Sequence, residues 1–192
     1  ACLADDMGLG KTLQTLSTLV AVQEKLEVEK AENTQLDLFG NEIPVAKEYL
    51  KALIVLPSSL VFNWYNEARK FTPHFRRIQY VGQNRKILSK KLEKYDLIFT
   101  SYAVVSRDLS ILEKYQFRYL ILDESQYIKN KNSKIFKAIN QLQTTHKISL
   151  SGTPIENSLD DLWSQMQFIN PNILGNYAFF TEHYKFPIEK KQ

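Results

Sequence analysis

Cysteine is nearly absent: Cys2 is the single one in 192 residues. One thiol rules out an internal disulfide framework and a cysteine-built zinc site, and it fits a reducing compartment. No apolar stretch is long enough to span a bilayer, and no leader pattern opens the chain. There is no internal repeat and no low-complexity tract. A strong charge of one sign is missing too. The 25 Lys and Arg against 21 Asp and Glu leave +4, compatible with nucleic acid but shared by many domains with neutral partners. These absences leave a soluble intracellular protein without a membrane partner, long enough for one α/β domain with a buried core and short for two. The chain opens on Ala1 and closes on Glu189-Lys190-Lys191-Gln192, so the expectation is a segment of a longer protein.

What is present is an alternation. Short aliphatic runs at Ala1–Ala4, Ala52–Leu56, Arg77–Val81, Leu97–Thr100, Tyr119–Leu122 and Lys147–Leu150 read as strands buried on both faces. Between them lie stretches of helical period, with Leu13, Leu16 and Val20 after the first run. Leu60, Trp64, Ala68 and Phe71 share a face, as do Ile135, Phe136, Ile139 and Leu142. The class is α/β, a mostly parallel central sheet between layers of crossover helices. From about 24 to 51 the chain is polar, which predicts a surface insertion. Beyond Asn170 the periodicity fades, and Pro171, Gly175 and Pro187 predict loop with short helices.

Three boxes sit at strand ends. The first strand runs into Asp5-Asp6-Met7-Gly8-Leu9-Gly10-Lys11-Thr12 and then a helix, the context of a phosphate-binding loop. Backbone N–H groups of Gly8, Leu9 and Gly10 would turn toward phosphate oxygens at a helix N-terminus. Lys11 would meet the β- and γ-phosphates, and Thr12 would offer its hydroxyl to Mg²⁺. The general pattern asks for glycine where this chain has Asp5. The second box is Asp123-Glu124-Ser125-Gln126, at the end of the fifth run, where parallel sheets open toward ligands. Asp123 would hold Mg²⁺, and Glu124 would orient the attacking water or take its proton. The third is Ser151-Gly152-Thr153-Pro154-Ile155-Glu156-Asn157 after the sixth run. Thr153 to Glu156 reads as a capping box with proline at the first helical position, and Ser158-Leu159-Asp160-Asp161 offers a second start.

The order of these boxes, with Leu-Pro-Ser-Ser-Leu-Val-Phe-Asn-Trp at 56–64, Thr100-Ser101-Tyr102 and Ile128-Lys129-Asn130 between them, resembles the Swi/Snf ATPases of helicase superfamily two. That family's phosphate loop carries an acidic residue where Asp5 stands. Its acidic box usually reads Asp-Glu-Ala-His or Asp-Glu-Ala-Gln, so Ser125 replaces an alanine. The resemblance implies the first of two RecA-like lobes, of P-loop NTPase fold, over residues 1–170. Residues 171–192 would begin the connection to a second lobe. It implies an ATPase that walks on duplex DNA without necessarily separating strands, with ATP and Mg²⁺ as cofactors. Lys11, Asp123, Glu124 and Gln126 would be catalytic, Gln126 reporting on the γ-phosphate. Ser151 and Thr153 would couple nucleotide state to the DNA surface. Asn63, Ser101, Tyr102 and Lys129 would approach DNA, although Trp64 reads equally well as core. With the second lobe's arginines elsewhere, the isolated segment is expected to bind nucleotide weakly and to be nearly inactive.

Gln35-Leu36-Asp37-Leu38-Phe39 resembles the peptide that bacterial replication and repair proteins dock on the sliding clamp, with Gln35, Leu36, Leu38 and Phe39 as docking residues. The expected location is the nucleoid-bearing cytoplasm of a bacterium or the nucleus of a eukaryote. Two alternatives to a translocase stay open. One is a strand-separating helicase or restriction-system motor, and the other is a non-catalytic module that binds DNA or a clamp.

Overall fold

Two strands buried at every residue set the centre, β2 (Ala52–Leu56) and β4 (Leu97–Ser101). Around them lie β1 (Cys2–Ala4), β3 (Arg77–Gln79), β5 (Phe117–Leu122) and β6 (Thr144–Ser151). A computed structural model describes residues 1–5, 8–32, 50–152 and 159–189. In it the six strands form one sheet in the order β1-β6-β5-β2-β4-β3, with every neighbouring pair parallel. All six predicted strands are found. β6 starts earlier than its apolar run, at Thr144, because pairing with Phe117 of β5 carries a half that faces solvent.

Side chains of successive strand residues point to opposite faces, so each strand feeds two cores. Leu53, Val55, Ile98, Leu120 and Leu122 pack on one face. Ala52, Ile54, Leu56, Leu97, Phe99 and Leu150 pack on the other. The second face is covered by α1 (Lys11–Glu32) and α2 (Val61–Phe71), through Leu16, Leu19, Trp64 and Ala68. The first is covered by α4 (Tyr102–Arg107), α5 (Leu109–Leu112), α6 (Lys134–Gln141) and α7 (Leu159–Ile169), while α3 (Arg85–Ser89) follows β3. The layers are therefore helix, sheet, helix.

Three expectations shift. The helix after the phosphate loop continues to Glu32, so no polar insertion begins at 24. Leu26 keeps the buried stripe of Leu16 and Leu19 going, and the exposed side is held by Gln23 with Glu27 (2.7 Å) and Lys25 with Glu29 (3.7 Å). At the start of that helix Leu13 is exposed. Phe71, the last residue of α2, is 43% exposed, with the Lys70 ammonium 5.0 Å over its ring. Residues 33–49, which hold the clamp-like peptide, lie outside the described residues.

A part-buried ion pair pins the β3 edge. Asp108 accepts from Arg85 Nε at 2.6 Å and from the Tyr80 hydroxyl at 3.0 Å. Asp108 is 5% exposed and Tyr80 is fully buried. Burial, then the Asp108 bond, pushes the Tyr80 phenol well above its ordinary value. Removing Asp108 leaves the buried Tyr80 hydroxyl unmatched, while Arg85 keeps its bond to Gly82 O. Asp108→Ala is expected to cost about 1–3 kcal/mol in denaturant unfolding, and a loss below ~0.5 kcal/mol would contradict the network's importance.

Past α7 the chain is more ordered than its composition predicts. Helical turns run unbroken through α8 (Tyr177–Phe180), a π-type segment (Thr181–Lys185) and α9 (Phe186–Glu189). The widened turn precedes Pro187, which has no N–H for an α-helical bond. Asn176 caps this run by accepting from Phe179 N at 2.9 Å. It is tied to α7 by Lys185 Nζ to Asp160 Oδ2 (2.7 Å) and by the Tyr177 hydroxyl to Asp160 Oδ1 (3.0 Å). Among the described residues, no helix is long and apolar enough to cross a membrane.

Candidate nucleotide site

The parallel topology brings the described residues of the first two boxes, and Ser151 of the third, to one end of the sheet. Ala4 of β1 registers with Ser151 of β6, and Asp5 N donates to Ser151 O at 3.2 Å, so the first and third boxes adjoin. β6 lies beside β5, whose chain continues into Asp123.

The loop before α1 turns at Gly8 (φ 88°) and Gly10 (φ 77°). A Cβ would meet nothing within 4 Å at either, so the backbone angle, not crowding, calls for glycine. Gly10 O accepts from Gln14 N at 3.0 Å, and Gln14 Nε2 donates to Leu9 O at 3.0 Å, which holds the loop against the helix start. Lys11 Nζ donates to the Asp5 carbonyl at 2.8 Å, bridging the loop. Thr12 follows within the first turn of α1, half-buried. Met7 and Asp6 lie outside the described residues.

In the second box each polar atom of Asp123 has a partner. Its N–H donates to Val55 O (3.0 Å), and its carbonyl accepts from the Tyr102 hydroxyl (2.7 Å). Oδ1 accepts from Glu124 N (3.0 Å) and Oδ2 from Trp64 Nε1 (2.8 Å). Asp123 is 6% exposed. Burial pushes its carboxyl above the ordinary range; the Trp64 and Glu124 bonds and the Lys11 charge oppose that, and the Glu124 charge adds to it. Glu124 sits in the left-handed region at φ 50°, ψ 54°. A non-glycine residue held there stores about 1–3 kcal/mol and persists only where its surroundings enforce it. Its Oε2 accepts from Gln126 Nε2 at 2.7 Å, and Gln126 Oε1 accepts from the Ser151 hydroxyl at 3.3 Å. Ser151, Gln126 and Glu124 thus form a chain from the third box to the second. Thr153 and the rest of its box, up to Ser158, lie outside the described residues, and the helix after them is α7 from Leu159.

Ser125, which replaces the expected alanine, has a partner the linear sequence does not disclose. It is fully buried and donates to Gln165 Oε1 of α7 at 3.1 Å. The adjacent Ser164 hydroxyl donates to Lys129 O at 2.7 Å, so α7 is bonded twice to the acidic-box turn. Removing a donor from a buried amide oxygen costs about 1–3 kcal/mol. Ser125→Ala is expected to lower unfolding stability by that amount, although alanine is the commoner residue there; unchanged stability would contradict the assignment.

Of the residues expected near DNA, Asn63 and Lys129 are exposed. Ser101 is buried and caps α4, accepting from Val104 N at 3.4 Å. The Tyr102 side chain is 3% exposed, stacked on Tyr127 (5.0 Å, 6°), and its hydroxyl donates to the Asp123 carbonyl. Trp64 is core, as one reading had it, but its N–H faces the acidic box. Beside Ser101 a groove of about 370 Å³ is lined by Ser58, Phe62, Gln79, Gly82 and Arg107.

The donor set fits Mg²⁺. Asp123 and Thr12 offer hard oxygens, and among the described residues no cluster of three or more His, Cys, Asp or Glu could form an all-protein cage. Mg²⁺ is commonly held by one or two carboxylates with waters and substrate phosphates.

Comparison with known proteins identifies the family. The family described as SNF2-related domain matches residues 1–192. TATA-binding protein-associated factor MOT1 of Saccharomyces cerevisiae is 38% identical over 188 residues, 97% of this chain and 10% of that protein. The putative ATP-dependent helicase/translocase YwqA of Bacillus subtilis is 35% identical over 193 residues, 99% of this chain and 19% of its own. The Sulfolobus solfataricus SWI2/SNF2 ATPase core in complex with dsDNA superposes with a TM-score of 0.77 at 42% identity, over 98% of this chain and 35% of that one. The chain therefore spans a small part of its curated relatives. Its matched family and its all-parallel, three-layer sheet agree: this chain belongs to the SNF2-related domain family and has the RecA-like α/β fold of the Swi2/Snf2 ATPase core.

Proposed function

We propose that this chain is the first RecA-like lobe of an ATP-driven translocase on duplex DNA, with the second lobe in the same parent protein. The observation that carries the reading is the convergence of Lys11, Asp123, Glu124, Gln126 and Ser151 at one sheet end, linked by the hydrogen bonds above. ATP is the substrate. Gly8, Leu9 and Gly10 cradle its phosphates, and the Lys11 ammonium leaves the Asp5 carbonyl for the β- and γ-oxygens. Thr12 and Asp123 hold Mg²⁺, which neutralises charge on the phosphates when bound. Glu124 accepts the proton of the attacking water, held in place by its bond to Gln126. Gln126 senses the γ-phosphate, and its bond to Ser151 passes that state to the third box, with Thr153 as the further coupling residue. Isolated from the second lobe, residues 1–170 hydrolyse ATP poorly, since the charge-stabilising arginine is worth about 10³-fold or more.

The duplex reading is supported by the similar Sulfolobus core, which is a complex with dsDNA, and by exposed Asn63 and Lys129 with the groove beside Ser101. A triplex-displacement assay with the full-length protein tests it. ATP-dependent removal of the third strand with the duplex left intact is expected. Separation of the duplex strands would favour the helicase alternative. DNA binding with no ATP turnover would favour the non-catalytic module. A clamp partner rests on the peptide at 35–39 alone, and clamp binding retained by Leu38→Ala plus Phe39→Ala would remove it. The nucleoid or the nucleus is the corresponding location.

A further inference from the structure

We propose that Trp64 is a positioning residue for the acidic box, its indole N–H holding the Asp123 carboxylate in the orientation that serves a divalent cation beside the phosphate loop. This rests on the functional reading above. A carboxylate at a strand end can rotate about two side-chain bonds. Here Trp64 Nε1 bonds Oδ2 at 2.8 Å and Glu124 N bonds Oδ1 at 3.0 Å, so one donor on each oxygen sets the plane. Glu124 N comes from the adjacent residue and cannot anchor the group to the fold by itself. Trp64 can. It is 3% exposed, on α2, locked in the apolar layer with Ala68, Val61 and Leu56.

If packing were its whole role, a phenylalanine or leucine would fill the space without a buried N–H to satisfy. The polar atom of the ring is instead aimed at the one carboxylate expected to bear metal. Tyr102 completes the frame by bonding the Asp123 carbonyl at 2.7 Å. The aspartate is thus held from the segments after both β2 and β4. Hydrogen-bond partners of metal-binding carboxylates are commonly worth about 10–100-fold in metal affinity or activity. A core-only residue would change unfolding stability and leave metal affinity alone.

The test compares the full-length wild type, Trp64→Phe and Asp123→Asn by Mn²⁺ electron paramagnetic resonance in the presence of ADP. Trp64→Phe is expected to raise the half-saturating Mn²⁺ concentration about tenfold, with ADP binding in the absence of metal unchanged. Wild-type affinity retained in Trp64→Phe would overturn the inference and leave the functional reading standing. No Mn²⁺ binding by the wild type would overturn both. Should the Phe variant fold poorly, the wild type decides by NMR. The indole N–H resonance altered in Asp123→Asn is then Trp64's, and it must move when Mg²⁺ is added with ADP. A stationary signal would overturn the inference.

Discussion

Lys11→Ala is expected to lower ATP turnover by about 10²–10³-fold or more while changing unfolding stability by about 1 kcal/mol or less. The ammonium is half-buried at the start of α1 and bonds the Asp5 carbonyl. Deleting it also removes a charge that favours the Asp123 carboxylate. On the proposed reading what is lost is the cation that meets the transferred phosphoryl group, and the neighbouring Gly8, Leu9 and Gly10 carry no charge to replace it. Nucleotide affinity falls too, because the same charge meets the β-phosphate before reaction begins. Steady-state phosphate release and fluorescent-nucleotide binding read the two effects separately. Turnover within a few-fold of wild type would mean that phosphate is handled elsewhere.

Glu124→Gln separates chemistry from binding. An amide keeps the shape and can still meet Gln126, whose Nε2 lies 2.7 Å from Oε2, but it cannot accept a proton at neutral pH. Removal of a general base commonly costs about 10²–10⁴-fold. The expected outcome is a loss of that size in turnover with nucleotide affinity preserved. The left-handed backbone at φ 50° adds weight to the assignment, since the fold tolerates strain at the residue whose carboxylate faces the site. Equal losses in binding and turnover would instead assign Glu124 to holding the nucleotide.

The fold was legible where local sequence states burial. Ala52-Leu53-Ile54-Val55-Leu56 could only be a strand covered on both faces, and it is. It was illegible where the backbone decides. Thr144-Thr145-His146 lies before the apolar run at Lys147–Leu150 yet begins β6, because β5 pairs with it. Likewise 24–32 reads as polar insertion, but Glu, Lys and Gln are good helix formers and Leu26 keeps the stripe.

The site divides in the same way. The residues of each box are contiguous, so the phosphate loop and Asp-Glu-Ser-Gln stood out at once. Their fastenings are not contiguous. Trp64 to Asp123, Tyr102 to the Asp123 carbonyl and Ser125 to Gln165 each join residues far apart in the chain, and only the strand order brings them together. Two signals were nonetheless in the sequence. A serine stood where alanine was expected, and an aromatic residue on an apolar helix face carried an N–H in need of an acceptor.

ATP turnover by the full-length protein, with and without duplex DNA, tests the central claim most directly. The account predicts hydrolysis raised severalfold or more by duplex and lost in Lys11→Ala under both conditions. Turnover indifferent to DNA, or unchanged by the substitution, would contradict it.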